Sequence, residues 1–207
     1  MDISEIIKRL KKAYPRATIA LGFANPLELL VSTILSAQCT DVRVNQVTPA
    51  LFKRYPTAAD YAGARDEELE QFIKPTGFYH NKAKSIKGAA KMIVEEFDGR
   101  VPGTMEELIR LPGVARKTAN IVLYHGYKII DGIAVDTHVR RLSRRMGLTH
   151  NDAPEKIEVD LMKQVPRGDL GLFSDLLIEH GRTVCKARKA NCKECFLNDL
   201  CISAFKV

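Results

Sequence analysis

A lysine and an aspartate, both residue types that can do chemistry, stand nineteen residues apart in the middle of this chain. Lys117 ends the run Leu111-Pro112-Gly113-Val114-Ala115-Arg116-Lys117, and Asp136 opens Asp136-Thr137-His138. A neutral amine can form a covalent imine with its substrate, and a carboxylate can stabilise developing positive charge or move a proton. Each residue also has a plainer reading. Most lysines are solvated surface cations, and an aspartate before a helical run is an N-cap. Against the plain reading of Lys117, its place in the first turn of a helix is unfavourable for a cation facing the helix dipole. A residue set against its local preference is a candidate for function. Asp136 can cap and react at once.

A second set of reactive residues crowds one end of the chain. Cys185, Cys192, Cys195 and Cys201 follow the spacing C-x6-C-x2-C-x5-C, with Cys39 far away. A cytosolic chain does not keep such cysteines as disulfides, so the four read as metal ligands. Zinc and iron–sulfur clusters both use four thiolates, and spacing does not separate them. Between the first two cysteines lies Lys186-Ala187-Arg188-Lys189-Ala190-Asn191, with three cations and no acid. Lys186, Arg188 and Lys189 are candidates for phosphate contacts; the alternative is a solvated loop.

The elements that must position these groups read as helices. Thr104 and Glu107 have the form of a capping box, and Leu108, Ile109 and Leu111 make an apolar stripe. Pro112 stops that helix and Gly113 permits positive φ, so a hairpin turns there and a second helix starts near Val114. The backbone at Gly113, Ala115 and Arg116 would then offer N–H groups and the positive end of a dipole to a phosphate, whatever the base sequence. Upstream, Ile3, Ile6, Ile7 and Leu10 mark an N-terminal helix, and Asn25-Pro26 opens a strongly apolar one that ends in Ser36-Ala37-Gln38-Cys39-Thr40-Asp41. A helical pattern from Asp41 to Tyr55 has Pro49 as a break or kink. Asp66 to Ile73 is a short acidic helix, Lys74 to Lys82 a turn with a basic flank, and Ala83 to Phe97 a long helix. Asp136 to Met146 carries Arg140, Arg141, Arg144 and Arg145, and two further apolar stripes follow. No segment alternates as a strand would, so the chain is expected to be all-α.

The 207 residues suit one or two small domains, and the formal charge of +7 favours a polyanionic partner. No apolar run reaches the length of a membrane span and the N-terminus has no signal-peptide core, so a soluble, intracellular protein is expected.

LPGVARKTAN together with VDTH resembles the helix-hairpin-helix glycosylase superfamily and, within it, the endonuclease III family of DNA base-excision repair enzymes, with matches from about Ser32 to Cys201. The resemblance implies two helical lobes with a DNA-binding cleft between them. One would be a six-helix lobe over 19–130, with the helix-hairpin-helix near 104–125. The other would be discontinuous, 1–18 plus 131–207, and would carry a [4Fe–4S] cluster on Cys185, Cys192, Cys195 and Cys201. Lys117 corresponds to the family's nucleophile and Asp136 to its catalytic partner. Ala115 stands where the family's hairpin usually has a second glycine. Gln38, in SAQ-x-TD, corresponds to a residue that enters the space left by a flipped base; Cys39, commonly alanine, reads as packing and not as a fifth ligand. Phe78 corresponds to a position where the family holds a leucine that wedges into the duplex; the alternative is ordinary core packing.

The implied activity is that of a bifunctional DNA glycosylase and abasic-site lyase. It removes oxidised or damaged pyrimidines by Schiff-base chemistry and cuts 3′ to the abasic site by β-elimination. Its partner would be double-stranded DNA containing damaged bases or abasic sites, with the protein a monomer in the cytoplasm or nucleoid. Two alternatives are a monofunctional mismatch glycosylase, which lacks the lysine, and a non-catalytic iron–sulfur protein that binds DNA or senses redox state.

Overall fold

The computed structural model describes residues 2–207, and the chain divides into two compact units, one running up to Ile19 and resuming over Ile130–Val207, the other spanning Ala20–Ile129. Among the described residues there is no strand, only an isolated antiparallel bridge between Cys185 and Ala190. The all-α expectation holds.

The discontinuous unit begins with α1 (Ile3–Ala13), whose first N–H groups are capped by Asp2 and whose Ile6, Ile7 and Leu10 are buried. The contiguous unit opens with α2 (Pro26–Leu35). Asn25 accepts the N–H of Glu28 at 3.0 Å, proline takes the first helical position, and every residue from Leu29 to Leu35 is buried. A helix apolar on all sides belongs at the centre of its unit. Around it lie α3 (Asp41–Arg54), α4 (Ala58–Ala62), α5 (Asp66–Ile73) and α6 (Tyr79–Glu96), with α6 packed against α2, α4 and α5. Then come α7 (Met105–Leu108) and α8 (Arg116–Ile121), the latter continuing as a π-helical turn over Val122–Tyr127.

Two expectations are corrected in this unit. Pro49 does not break α3, which runs unbroken from Asp41 to Arg54. Proline removes one backbone bond on the exposed side, while Val44, Val47, Thr48 and Leu51 keep the opposite face buried on either side of it, and packing of that face outweighs the lost bond. The segment 74–82 is only partly a turn. A 3₁₀ turn covers Lys74–Thr76, Gly77 and Phe78 reverse the chain, and α6 already starts at Tyr79. Lys82 and Ala83 are buried and extend the stripe of Ile86, Ala90 and Ile93; the charge on Lys82 disguises a core position.

The discontinuous unit resumes with α9 (Thr137–Met146), α10 (Pro154–Met162) and α11 (Leu170–Thr183). α11 packs on both α9 and α1. Their shared core includes Leu10, Val139, Leu142, Ile157, Leu161, Phe173 and Leu177, with Leu197 from the C-terminal segment and Cys185, Cys195 and Cys201 lying against it. Arg9 of α1 ties that segment down, donating to the Phe196 carbonyl at 2.9 Å and pairing with Asp199 at 2.6 Å.

Candidate active site and nucleic-acid interface

The hairpin between α7 and α8 is seated on α6 by mutual absence of side chains. Gly113 has φ +80°, and a Cβ there would come within 2.6 Å of the Ser85 Cβ; a Cβ on Gly88 of α6 would approach the Pro112 ring to 3.1 Å. Thr104 accepts the Glu107 N–H at 3.3 Å and its hydroxyl donates to the Glu107 carboxylate at 2.8 Å, so the Thr104 half of the expected box is formed, and Leu111 and Val114 anchor the turn in the core. Pro112, Gly113, Ala115, Arg116 and Lys117 are exposed. The Val114 N–H is used within the turn, on the Leu111 carbonyl at 3.0 Å, so α8 starts two residues later than the apolar spacing suggests. Its N-cap, Ala115, has no side-chain oxygen, and no side chain caps this end. Lys117 sits in the first turn, exposed.

Asp136 belongs to the other unit. Its Oδ1 accepts the backbone N–H groups of His138 and Val139, each at 2.8 Å, and its Oδ2 lies 3.1 Å from His138 Nδ1. It is thus a genuine N-cap of α9, half-buried, with its carboxylate held in one orientation.

Gln38 and Phe78 share an unusual backbone. Both are exposed and both have positive φ, 52° and 48°, a region that costs a residue with a side chain. Such conformations persist only where surrounding structure holds them, and they concentrate at functional segments. With 62% of its surface exposed, Phe78 is not a core residue. Cys39 follows Gln38, half-buried, in a different unit from the other four cysteines.

Those four line one small apolar cavity together with Leu142, Met146 and Leu197. Burial pushes the thiols of Cys195 and Cys201 up, and charge on the neighbouring cysteines pushes the same way. Four thiolates are the donor set of an iron–sulfur cluster and equally of a zinc ion. Among the described residues no group of three or more His, Cys, Asp or Glu side chains is already arranged to hold a metal ion. Around the cysteines, His180 lies with Nε2 3.5 Å from Cys195 Sγ and Nδ1 2.9 Å from the Tyr14 hydroxyl; burial lowers its pKa to about 4.

The basic loop is held from α9. Arg145 donates to the carbonyls of Lys186 and Ala187, each at 2.9 Å, and lies 3.3 Å from Cys185 Sγ. Arg141 donates to the carbonyls of Gly181 and Cys185 at 3.1 and 3.0 Å. These bonds leave the side chains of Lys186, Arg188 and Lys189 exposed. Neither arginine is marked in the sequence, where they read as two more cations on a basic helix. The other two, Arg140 and Arg144, both pair with Asp152.

Residues 31–167 match the HhH-GPD superfamily of base excision DNA repair proteins. Over 201 residues the chain is 59% identical to the endonuclease III of Synechocystis sp., spanning 97% of this chain and 92% of that relative. Identity to the endonuclease III of Bacillus subtilis is 44% over 201 residues, with 97% and 91% covered. The fold superposes with a TM-score of 0.93, at 41% identity, on a solved trapped endonuclease III–DNA covalent intermediate, covering 99% of this chain and 96% of that one. A match of this extent, over nearly the whole length of the chain, makes it a member of the endonuclease III family within the HhH-GPD superfamily.

Proposed function

We propose that this protein is a bifunctional DNA glycosylase and abasic-site lyase that removes oxidised or saturated pyrimidines from double-stranded DNA. The observation that carries the reading is the exposed Lys117 in the first turn of α8, beside a hairpin whose helix end no side chain caps. The related endonuclease III trapped covalently on DNA supports it.

The backbone of Gly113 and Ala115 binds a phosphate, with the Arg116 side chain alongside, and sets the register of the DNA strand. The damaged nucleotide leaves the stack, since its glycosidic carbon is otherwise shielded, and Gln38 and Phe78 occupy the gap. Only an amine with a free lone pair is a nucleophile, so Lys117 reacts in its neutral form. Its Nζ bonds to C1′ as the bond from C1′ to the base breaks, and the base departs with a proton. Nζ gives up its own proton, the C1′–O4′ bond opens, and an imine joins enzyme and sugar. Loss of a proton from C2′ then expels the 3′ phosphate, and water frees the lysine. Asp136 stabilises the positive charge that develops at C1′ and assists the proton transfers.

Cys185, Cys192, Cys195 and Cys201 would hold a [4Fe–4S] cluster, which when bound tethers the ligand segment at four points. Arg145 and Arg141 hold the backbone of the intervening loop, and Lys186, Arg188 and Lys189 meet DNA phosphates.

Incubation with duplexes carrying thymine glycol, other oxidised pyrimidines or a preformed abasic site tests the reading. Base release with strand cleavage is expected. Release without cleavage would favour a monofunctional glycosylase, and binding without release a non-catalytic protein.

A further inference from the structure

Lys82 is a buried cation on α6, only 5% exposed. Its ammonium donates to the Leu35 carbonyl at 2.7 Å and to the Thr76 carbonyl at 2.8 Å. Among the described residues no carboxylate bonds to it; burial lowers its pKa, and the Cys39 thiol is the neighbour that draws it back. A buried ammonium without a counter-charge is less favourable than an apolar side chain of the same length. Methionine would fill the space without that penalty, so packing does not account for a lysine here.

What the ammonium joins does account for it. Leu35 is the last residue of α2, with a carbonyl beyond the reach of the helix's own bonds, and Gln38 follows three residues later. Thr76 closes the 3₁₀ turn, with its hydroxyl on the Ile73 carbonyl at 2.8 Å, and Phe78 follows two residues later. Both downstream residues are exposed, and both hold positive φ. One side chain therefore grips the roots of two segments whose tips share the same uncommon backbone.

We infer that Lys82 is a positioning residue for base extrusion: by tying the Leu35 and Thr76 carbonyls to one point, it sets the spacing at which Gln38 and Phe78 meet the duplex. The inference rests on the reading that those two residues enter the gap. Two inserting side chains brace a gap together only if their separation is fixed before binding, and segments fixed in advance lose less freedom on contact.

The test uses the full protein with Lys82→Met, read by melting, by single-turnover excision of thymine glycol, and by fluorescence of 2-aminopurine placed opposite an abasic-site analogue. The variant is expected to stay folded, to lose about tenfold in excision rate, and to give a weaker fluorescence rise, since a small misplacement in positioning is amplified in rate. In a Gln38→Ala, Phe78→Ala background, Lys82→Met should have no further effect on rate. Wild-type excision and fluorescence in Lys82→Met would overturn the inference, and so would an undiminished tenfold loss in the double-alanine background, which marks general destabilisation. If Gln38→Ala and Phe78→Ala alone leave both signals unchanged, the underlying reading fails first, independently of Lys82. Should the methionine variant not fold, Lys82→Gln keeps an amide donor and should excise at an intermediate rate; a wild-type rate in it together with unchanged fluorescence overturns the inference.

Discussion

The Oδ1 of Asp136 accepts the Val139 N–H at 2.8 Å while also accepting the His138 N–H at the same distance. Capping therefore occupies one carboxylate oxygen, and the charge is shared with Oδ2 beside His138. An asparagine keeps a capping oxygen and loses the charge. Asp136→Asn should change folding stability by less than about 1 kcal/mol yet slow base removal by about 10²–10³-fold. Asp136→Ala should lose the cap as well, at a cost of about 1 kcal/mol. Melting curves and single-turnover rates on the same samples separate the two roles; equal, large losses of stability in both variants would leave Asp136 as a cap alone.

Gly113→Ala strains the hairpin twice, through its φ of +80° and through the Ser85 Cβ that a new methyl would meet at 2.6 Å. Destabilisation of about 1–3 kcal/mol is expected, with weaker DNA binding because the phosphate-facing turn shifts. Adding Ser85→Gly should recover the packing part and not the backbone part. Full recovery in the double variant would mean that φ carries no cost here.

Removing charge at Arg188 and Lys189 should weaken binding to every duplex sequence alike. The slope of log affinity against log salt should flatten by up to about 0.9 for each phosphate that is no longer neutralised. An unchanged slope, with the visible absorbance expected of the proposed cluster intact, would show that the loop does not touch phosphate.

Arg145 links α9 to two carbonyls of that loop and to Cys185. Arg145→Met should destabilise the loop by about 1–3 kcal/mol and speed the bleaching, under a chelator, of the absorbance expected of the proposed cluster. Arg145→Lys should not rescue it, because an ammonium lacks the planar fork that reaches adjacent carbonyls. Bleaching at the wild-type rate in both variants would remove Arg145 from this role.

Much of the architecture was legible because helices announce their ends. Asn25-Pro26, the Thr104 cap, Asp136 before α9 and the Pro112-Gly113 turn all mark boundaries by local chemistry, and the apolar stripes between them show which faces are buried. Local chemistry also explains what was missed. Pro49 reads as a breaker, yet packing on the opposite face carries α3 through it. Lys82 reads as part of a basic turn because its partners, Leu35 and Thr76, are backbone carbonyls that leave no trace in side-chain identity. Arg145 finds its loop forty residues away in sequence, where no periodicity reaches. The backbone strain at Gln38 and Phe78 is equally silent in a sequence, because neither residue type announces positive φ.

In the proposed mechanism Lys117 becomes covalently attached to DNA through an imine, and reductive trapping tests that attachment most directly. Borohydride added during turnover on a thymine glycol duplex should convert that imine to a stable amine. A cross-linked species should appear, with the DNA remnant on the peptide containing Lys117 by mass spectrometry, and it should be absent in Lys117→Ala. Undiminished trapping in Lys117→Ala, or a remnant mapped to another residue, would contradict the account.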